Sequence, residues 1–454
     1  MDHLRPSTAY LDHANDEVRR RIREAEAAAT PGRIGEDHPG QDSVWSNIAL
    51  TAEGLAAELD ALIRDLHANP ELAFGEAYAQ SRISALLESH GRPVHPGVHG
   101  VDTALRSEFA TAGFDAAEHP TVAIMAEYDA LPGLGHACGH NVIAAAGVGA
   151  FLTAVEELQK NPGIQGRLVL LGTPAEEGHS GKEYMIRGGM LEGIDFAIMI
   201  HPFSYDIASH AWVGRRTLTV RFEGVAAHAS SQPFMGRNAL DAATLAYQGL
   251  GLLRQQMPPS DRLHAVITEG GHRPSVIPQD AEMSIYVRSL YTDTLQDLSQ
   301  RVDDVLHGAA LMAGVRVVKE WDVHPATLPI RNNQVLAGRW TATQAIRNRL
   351  PLPAGVVPDT LAASTDFGNV SHLVPGLHPM VKIAPTGVAL HTEAFANYAI
   401  GNEALRGAVD SAAGLAQVAL DVLAEPELAA AARAEFEEEG GAFHVAEGLG
   451  RVAE

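Results

Sequence analysis

One stretch, residues 126–141, constrains the fold more than any other part of the chain. It lies between two apolar segments, of which Thr121–Met125 predicts a buried strand and Val142–Leu152 predicts a buried helix. A strand that runs through a glycine-rich turn into a helix is typical of open α/β sheets, which place their ligands where strands end. The stretch reads AEYDALPGLGHACGHN and contains Asp129, Cys138 and His140. We therefore expect an α/β sheet with a polar site at this strand end.

The spacing of Cys138 and His140 indicates a possible pair of metal ligands. They are two residues apart, so in an extended or turning segment both side chains can point the same way. A lone cysteine more often packs as a small buried hydrophobe, and the turn by itself leaves both interpretations open. Because the chain has only one cysteine, an intrachain disulfide is excluded, which suits a reducing cytoplasm.

Composition narrows the class of protein. With 454 residues, of which 46% are apolar, the chain has room for two or three domains and a large core. The net charge of −23 disfavours a nucleic-acid partner, which requires basic patches. No uncharged apolar run reaches membrane-spanning length, and the polar N-terminal segment lacks a secretory signal. We expect a cytoplasmic protein that binds neither nucleic acid nor membranes.

The order of predicted elements divides the chain into two parts. Residues 46–214 and 325–424 alternate helices with strands, which predicts a parallel or mixed α/β sheet. Between them, residues 215–324 show the order β-α-β-β-α-β, which is that of a ferredoxin-like α+β domain. The second part is thus predicted to be an insertion in the first.

Segments at both ends lie outside these two parts. Residues 1–45 form a polar N-terminal extension with a charged helix predicted over Asn15–Ala29, and residues 425–454 form an acidic, alanine-rich C-terminal tail. The first helix of the α/β part is predicted over Ser46–Ala68, where leucines recur at helical spacing until Asn69-Pro70.

More candidate site residues follow the other predicted strands. Glu176 and Glu177 come after the strand Leu168–Gly172, His201 follows another strand, and His391 lies near the end of the α/β part. Each has an ordinary explanation by itself, as part of an exposed loop, a core histidine or a surface residue. Because strand ends meet at one edge of a sheet, their joint occurrence with the Cys-x-His turn favours a shared site.

These residue types suit a pair of divalent metal ions, which lie about 3.5–4 Å apart, hold a water molecule and polarise a carbonyl group. The thiolate of Cys138 can bridge two ions, and Asp129 can orient a ligand imidazole from behind. Glu176 can act as the general base that takes a proton from the water and passes it to the leaving nitrogen. The remaining candidate ligands are His140, Glu177, His201 and His391. Thiolate and imidazole suit zinc, while carboxylates also suit manganese.

On these residues the sequence resembles the dinuclear metallo-aminoacylases and carboxypeptidases (peptidase family M twenty), and most closely their aminobenzoyl-glutamate hydrolase and auxin-conjugate amidohydrolase branches. The resemblance covers residues from about 46 to 424. The motifs that carry it are DALP at 129–132, GHACGHN at 135–141, PAEEG at 174–178, HP at 201–202, HT at 391–392, GVAAHAS at 224–230, GRNALDA at 236–242, VIP at 276–278 and STDFGNVS at 364–371.

The resemblance implies a mixed-sheet, zinc-peptidase-like catalytic domain whose ferredoxin-like insertion serves as a lid and dimerisation domain. It implies hydrolysis of the amide bond of a small N-acyl or N-aroyl amino acid or dipeptide-like substrate, with two zinc or manganese ions in each subunit of a homodimer. It places the base on Glu176 and the metal ligands on Cys138, His140, Glu177, His201 and His391. It further implies that His228 of the lid stabilises the oxyanion in the partner subunit's site, and that substrate contacts come from Asn238, Ser275 and Arg288.

Two positions depart from the family pattern. Many relatives have a histidine where this chain has Glu127, although branches with the Cys-x-His turn share this difference, and there the histidine of that turn supplies the imidazole. Ser275 stands where relatives commonly have an asparagine whose amide helps to hold the substrate. A serine is shorter and donates one proton, so the departure bears on the substrate and not on the metal chemistry.

Other functions agree less well with the sequence. The turn glycines do not form G-x-G-x-x-G, and residues 178–181 do not form G-x-S-x-G, which disfavours a nucleotide site and a serine hydrolase. A non-catalytic metal-dependent binding protein would have no need of Glu176. Hydrolytic deamination of an aryl amine by the same two-metal site stays an alternative.

Overall fold

The computed structural model describes residues 7–28, 42–359 and 362–449. Its strands are β1 His95–Pro96, β2 Leu105–Ala110, β3 Thr121–Ala126, β4 Arg167–Gly172, β5 Phe196–Ile198, β6 His201–Phe203, β7 Gly214–Glu223, β8 Arg262–Glu269, β9 Asp280–Ser289, β10 Arg316–Trp321, β11 Gly376–Leu377 and β12 Met380–Lys382. Its α-helices are α1 Ala9–Ala28, α2 Asp42–Gly54, α3 Ala56–Ala68, α4 Ala77–Ser89, α5 His140–Lys160, α6 Gly181–Arg187, α7 Ala239–Leu253, α8 Thr292–Ala313, α9 Gln334–Ala345, α10 Phe367–Ser371, α11 Glu393–Tyr398, α12 Asn402–Ala424, α13 Pro426–Glu438 and α14 Val445–Gly448.

The described residues divide into two compact units. The first contains the residues up to His210, together with Arg331–Pro358 and Val370–Ala442. The second contains Ala211–Ile330, Asp359–Asn369 and the described residues from Phe443 onward. The inserted domain predicted over 215–324 therefore lies within the second unit.

A six-stranded mixed sheet forms the centre of the first unit, with strand order β1-β2-β4-β3-β5-β11. β3 runs parallel to both β4 and β5, whereas β2 is antiparallel to β4. Every residue of β3 is buried, as expected for a central parallel strand that is covered on both faces. The carboxyl ends of β3, β4 and β5 therefore lie side by side, and the predicted mixed α/β sheet is confirmed.

Among the described residues, two helices, α5 and α12, are long and apolar enough to cross a membrane, but 94% of the apolar stretch of each is buried inside the protein. The two helices pack against each other, and α5 also packs against β3 and β4. Two glycines allow α5 to approach β3 and α12 closely. A Cβ at Gly147 would lie 2.8 Å from the Met125 carbonyl oxygen, and one at Gly149 would lie 2.9 Å from the Ala412 Cβ. These helices form the core of the first unit.

The second unit contains the predicted ferredoxin-like domain. Its antiparallel sheet has the strand order β10-β7-β9-β8, and α7 and α8 pack on one face. Alternate residues of β7, among them Leu218, Val220 and Phe222, point into the core beneath these helices. Asn238 caps α7 by accepting a hydrogen bond from the Leu240 backbone N–H at 3.0 Å.

The STDFGNVS motif has a packing role in the second unit. The Asn369 side chain accepts a hydrogen bond from the Leu328 N–H at 2.8 Å and donates one to the Ala326 carbonyl at 2.9 Å. A Cβ at Gly368 would lie 1.8 Å from the Leu328 carbonyl oxygen, so a side chain at this position would clash with backbone. The motif holds the segment that leaves the ferredoxin-like domain.

Several boundaries differ from the sequence-based predictions. The single helix predicted over Ser46–Ala68 is wrong: α2 ends at Gly54, and α3 begins after Leu55, whose N–H bonds to the Ala52 carbonyl at 3.2 Å in a tightened turn. Glycine has a low helix propensity, which explains where the break occurs. The first part of the acidic tail forms α13, Pro426–Glu438, which packs against α9 and α12. The N-terminal helix forms as α1, while residues 29–41 of the extension lie outside the described residues.

Candidate metal centre

The structure brings the predicted site residues of the first unit together beside the ends of β3, β4 and β5. Their ligand atoms form three groups, each with all atoms within 4.8 Å of one another. These groups are Cys138 with His140 and His201, Cys138 with Glu177 and His391, and His140 with Glu176 and Glu177. Cys138, His140 and Glu177 each belong to two of these groups, so the three groups join into one continuous cluster.

The turn after β3 positions Cys138. Gly139 adopts the left-handed conformation with φ of 82°, which ends the turn and lets α5 begin at His140. The Cys138 Sγ is buried and lies 3.5 Å from the His201 Nε2 atom. Burial raises the pKa of the Cys138 thiol well above its ordinary value. The thiolate form therefore needs a nearby positive charge, such as a metal ion.

Two imidazole rings are held with Nε2 facing the cluster. The His140 Nδ1–H donates to the Asp129 carboxylate at 2.9 Å, and the His201 Nδ1–H donates to the Pro202 carbonyl at 2.8 Å. In the neutral form, each ring therefore leaves Nε2 as the acceptor atom, which is the tautomer that binds metals. His391 is half-exposed, and its backbone N–H donates to the Ala137 carbonyl at 3.0 Å, which ties its loop to the Cys-x-His turn.

Buried polar atoms in this cluster lack partners in the described part of the chain. The His140 Nε2 and the Glu177 Oε1 atoms are buried and have no hydrogen-bond partner there. They lie 4.0 Å apart, and the Glu177 Oε1 atom is 3.3 Å from the His391 Nε2 atom. Because unpaired buried acceptors are costly, converging acceptor atoms of this kind fit a bound cation.

Electrostatics of the cluster also favour a cation. Burial opposes a charged His140 ring, but Cys138, Asp129 and Glu127 outweigh that effect and raise its pKa well above the ordinary value. Burial lowers the pKa of His201 to about 3, so this imidazole is neutral at physiological pH, as a ligand must be. The anions around His140 therefore favour a positive charge at its Nε2 atom, either a proton or a metal ion that binds in place of that proton.

Asp129 lies beside the cluster and contacts two of its members, His140 and Glu177. Its Oδ1 atom accepts from His140, and its Oδ2 atom accepts from the Glu177 backbone N–H at 2.8 Å. Burial opposes its charge, but the proximity of His140 and these hydrogen bonds lower its pKa below the ordinary value. One ionised carboxylate thus fixes the orientation of two candidate ligands.

Sequence analysis missed a buried ion pair beside His140. The Lys182 ammonium group bonds to the Glu127 Oε1 atom, and both side chains are fully buried. The Glu127 Oε2 atom lies 3.5 Å from the His140 Nε2 atom. Lysine is rarely buried, and nothing in the sequence around Lys182 distinguishes it from a surface residue. The sequence shows that Glu127 departs from the family pattern, but it does not show that Lys182 pairs with Glu127.

A second buried carboxylate, Glu76, was also missed. It accepts hydrogen bonds from the Ala175 N–H at 2.9 Å and from the Thr103 hydroxyl at 2.8 Å. Burial and the nearby charge of Asp129 raise the pKa of Glu76 to about 7. The only available sequence signal was a polar residue just before a helix, which ordinarily indicates a cap.

The predicted lid residues lie in the second unit. The Nδ1 atom of His228 accepts from the backbone N–H groups of Ser230 and Ser231 at 3.2 and 3.1 Å, so its Nε2 atom carries the hydrogen. Ser275 is exposed. Asn238 uses its side chain to cap α7, a structural role that the sequence analysis did not foresee. Substrate contacts of these residues stay predictions.

Arg288 lies on the face of the lid sheet opposite the helices. It pairs in register with Arg215 on β7, and its guanidinium group stacks over the Tyr286 ring at 5.0 Å. Burial, followed by the charge of Arg215, lowers the pKa of Arg288. Two guanidinium groups on the same face of a sheet can both donate hydrogen bonds to a carboxylate, so the pair suits an anionic substrate group. Contact of Arg288 with substrate also stays a prediction.

A cysteine shared by two groups of metal-ligand side chains, with a carboxylate beside them, is a set of side chains suited to a metal-dependent hydrolase. The comparison with known proteins agrees and is more specific. The sequence profile of Peptidase family M20/M25/M40 matches residues 123–417, and the chain belongs to this family of hydrolases that act on amide and peptide bonds. The predicted family and reaction class are confirmed.

Individual relatives have related activities. The chain is 38% identical over 388 residues to the Xaa-Arg dipeptidase of Mus musculus, covering 84% of this chain and 89% of that protein. It is 29% identical over 397 residues to one of the subunits of the p-aminobenzoyl-glutamate hydrolase of Escherichia coli, covering 71% of this chain and 80% of that protein. The YXEP protein of Bacillus subtilis, a dinuclear metal-binding peptidase of this family, shares the fold with a TM-score of 0.62 at 21% identity, over 82% of this chain and 99% of that chain.

Proposed function

We propose that this protein is a dipeptidase whose amide hydrolysis depends on two divalent ions held by the cluster beside β3, β4 and β5. The proposed ligands are Cys138, His140, Glu177, His201 and His391. One observation carries the assignment: two groups of metal-ligand atoms share Cys138, while the His140 Nε2 and Glu177 Oε1 atoms are buried without a hydrogen-bond partner in the described residues. When bound, the ions supply Lewis acidity toward the substrate carbonyl group.

Glu176 is the proposed proton carrier. Its side chain is about one-tenth exposed, and its Oε2 atom lies 4.0 Å from the His140 Nε2 atom, so it borders the cluster while staying open to a substrate. Its carboxylate takes a proton from the attacking water and gives it to the leaving nitrogen, which then departs as an amine. Asp129 keeps the imidazole of His140 in the orientation that this arrangement requires.

The proposed substrate is a dipeptide with a basic C-terminal residue. Support comes from the degree of similarity, which is 38% to an Xaa-Arg dipeptidase but 29% to a component of a p-aminobenzoyl-glutamate hydrolase. The second candidate is an N-acyl or N-aroyl amino acid with an acidic side chain. The opposed Arg215 and Arg288 favour it, because two guanidinium groups suit a substrate with more than one carboxylate.

A substrate panel decides between these candidates. The purified, metal-analysed enzyme would be assayed for kcat/KM with Ala-Arg, Ala-Lys, Ala-Glu, N-acetyl-arginine, p-aminobenzoyl-glutamate and a set of aryl amines. We expect the basic dipeptides to exceed the acidic substrates by at least ~10-fold. The reverse order selects the second candidate. Ammonia released from aryl amines alone would select a deaminase, and no turnover with two ions bound would select a binding protein.

Zinc is the proposed native metal, because a thiolate and three imidazole groups surround the cluster. Manganese is the alternative that the carboxylates allow. Stripping the protein with a chelator and reloading it separately with each ion gives the test. The metal that restores turnover at the lower free concentration, and that mass spectrometry finds in protein purified without added metal, is the native one.

We also propose a cytoplasmic homodimer that assembles through the second unit. β8 is an edge strand of its sheet. Val266 on β8 and Tyr247 and Leu252 on α7 are 54%, 47% and 63% exposed, which leaves apolar surface for a second copy of the chain. His228 would then act in the partner subunit's site through its Nε2–H. Sedimentation of Leu252→Glu against the unmodified protein tests the interface, since a dimer that survives this charge would refute it.

A further inference from the structure

Glu76 is a fully buried carboxylate that the proposed reaction does not use. Its Oε1 atom accepts two backbone hydrogen bonds, from the Ala175 N–H at 2.9 Å and from the Phe74 N–H at 3.1 Å, and its Oε2 atom accepts from the Thr103 hydroxyl. Both backbone donors belong to residues with left-handed φ angles, 61° at Ala175 and 63° at Phe74. Non-glycine residues rarely adopt this conformation unless their surroundings hold them there.

Capping of α4 does not account for Glu76. It occupies the N-cap position of α4, but its side chain makes no cap hydrogen bond. Glu71 takes that role instead, because its carboxylate accepts from the N–H groups of Tyr78 and Ala79 at 3.0 and 2.9 Å. The side chain of Glu76 is thus directed into the loop that follows β4, away from its own helix.

That loop carries Glu176 between two anchored amides. On one side, the N–H of Ala175 is held by Glu76, and on the other, the N–H of Glu177 is held by Asp129 at 2.8 Å. The Ala175 carbonyl is held as well, by the Gly181 N–H at 2.9 Å. The direction in which the Glu176 side chain leaves the backbone is set by the two peptide groups next to it, and therefore depends on the left-handed conformation of Ala175.

We propose that Glu76 is a positioning residue for the base of the reaction: by holding Ala175 in the left-handed conformation, it aims the carboxylate of Glu176 at the substrate. The inference rests on the proposed function of Glu176. Without Glu76, the Ala175 N–H loses its acceptor and only the Gly181 N–H still holds the Ala175 carbonyl, so Ala175 can relax toward negative φ and turn the following peptide, while Asp129 still holds Glu177. Glu76 therefore affects the rate of the chemical step more than the binding of metals or substrate.

The test combines Glu76→Ala with Ala175→Gly. We expect Glu76→Ala to lower kcat by ~10–100-fold, the usual effect of losing a partner behind an active-site group, with KM and metal content close to those of the unmodified enzyme. Glycine adopts positive φ without strain, so adding Ala175→Gly to Glu76→Ala should recover at least ~3-fold in kcat. A general loss of stability would not respond in this way.

Matched variants separate this role from a structural one. Glu76→Gln keeps an oxygen for both backbone donors and should retain kcat within ~3-fold. Glu71→Ala removes a carboxylate of the same segment that does not contact the loop, and it should leave kcat unchanged. If Glu76→Ala does not fold, Glu76→Asp, which is one methylene too short to reach Ala175, takes its place in every comparison.

Two kinds of result overturn the inference. One is a folded Glu76→Ala or Glu76→Asp enzyme with unchanged kcat, and the other is a loss of kcat that comes with loss of metal or does not respond to Ala175→Gly. The proposed function is tested in parallel by Glu176→Gln. If that variant keeps full turnover, the assignment of the base fails, whereas an inactive Glu176→Gln beside a fully active Glu76→Ala refutes only the role of Glu76.

Discussion

Asp129→Asn is the substitution whose effect the geometry predicts most directly. The two carboxylate oxygens of Asp129 accept from two donors, the His140 Nδ1–H at 2.9 Å and the Glu177 N–H at 2.8 Å. An asparagine has one oxygen, so its NH₂ group must face one of these donors. If it faces His140, the ring can relieve the conflict only by moving its proton to Nε2, the atom proposed to bind metal.

The expected magnitude follows from these contacts. Leaving one buried donor unpaired costs ~1–3 kcal/mol. Loss of a partner behind a ligand usually weakens metal binding by ~10–100-fold, which corresponds to ~1.4–2.7 kcal/mol at ~1.36 kcal/mol per factor of ten. We therefore expect Asp129→Asn to bind zinc ~10–100-fold more weakly and to lose turnover in parallel at limiting metal.

Competition with a chromophoric chelator would measure the zinc affinity of the metal-free proteins. Asp195→Asn is the matched control, because Asp195 accepts from the Thr121 N–H at 2.8 Å at the start of β3, the end opposite the site. That variant should bind zinc normally. Equal zinc affinities for Asp129→Asn and the unmodified protein, both folded, would refute the role of Asp129.

Four further predictions follow from the site. Cys138→Ser should lose metal and most turnover, and a serine variant with full metal content and activity would contradict the assignment of Cys138 as a ligand. Because burial raises the pKa of the Cys138 thiol, zinc must displace its proton, and the zinc affinity of the unmodified protein should therefore rise from about pH 6 to about pH 8. Glu176→Gln should keep both ions while turnover falls ~10²–10⁴-fold, and loss of metal would instead make Glu176 a ligand. Mixing inactive His228→Ala and Glu176→Gln subunits should restore up to about half of the activity in each mixed dimer, so mixed dimers that form but stay inactive exclude action in trans. Lys182→Met removes the cation bonded to a buried carboxylate and should lower the free energy of unfolding by ~3–5 kcal/mol in urea titrations. Arg64→Met, at an exposed ion pair with Asp60, should leave the free energy of unfolding nearly unchanged, so equal effects of the two substitutions would refute the prediction.

The sequence determined the parts of this protein that depend on local pattern. Thr121–Met125 is an almost entirely apolar run and forms most of β3, because a strand covered on both faces buries every side chain. The order of strands and helices in the inserted domain was predictable for the same reason, since the hydrophobic period changes between the two kinds of element. The candidate ligands could be predicted because their joint occurrence at successive strand ends favours a shared site, although each of them by itself has an ordinary explanation.

Only the tertiary structure decided which charged side chains are buried and which groups they pair with or bind by hydrogen bonds. Glu76 and Ala175 are 99 residues apart, and Glu127 and Lys182 are 55 apart, so no local pattern connects either pair. A glutamate or lysine is stable inside a protein only when partners from distant segments satisfy it, and the sequence does not show which segments pack over it. The candidate ligands of this site could therefore be predicted from the sequence, whereas the contacts that orient them form only in the folded structure.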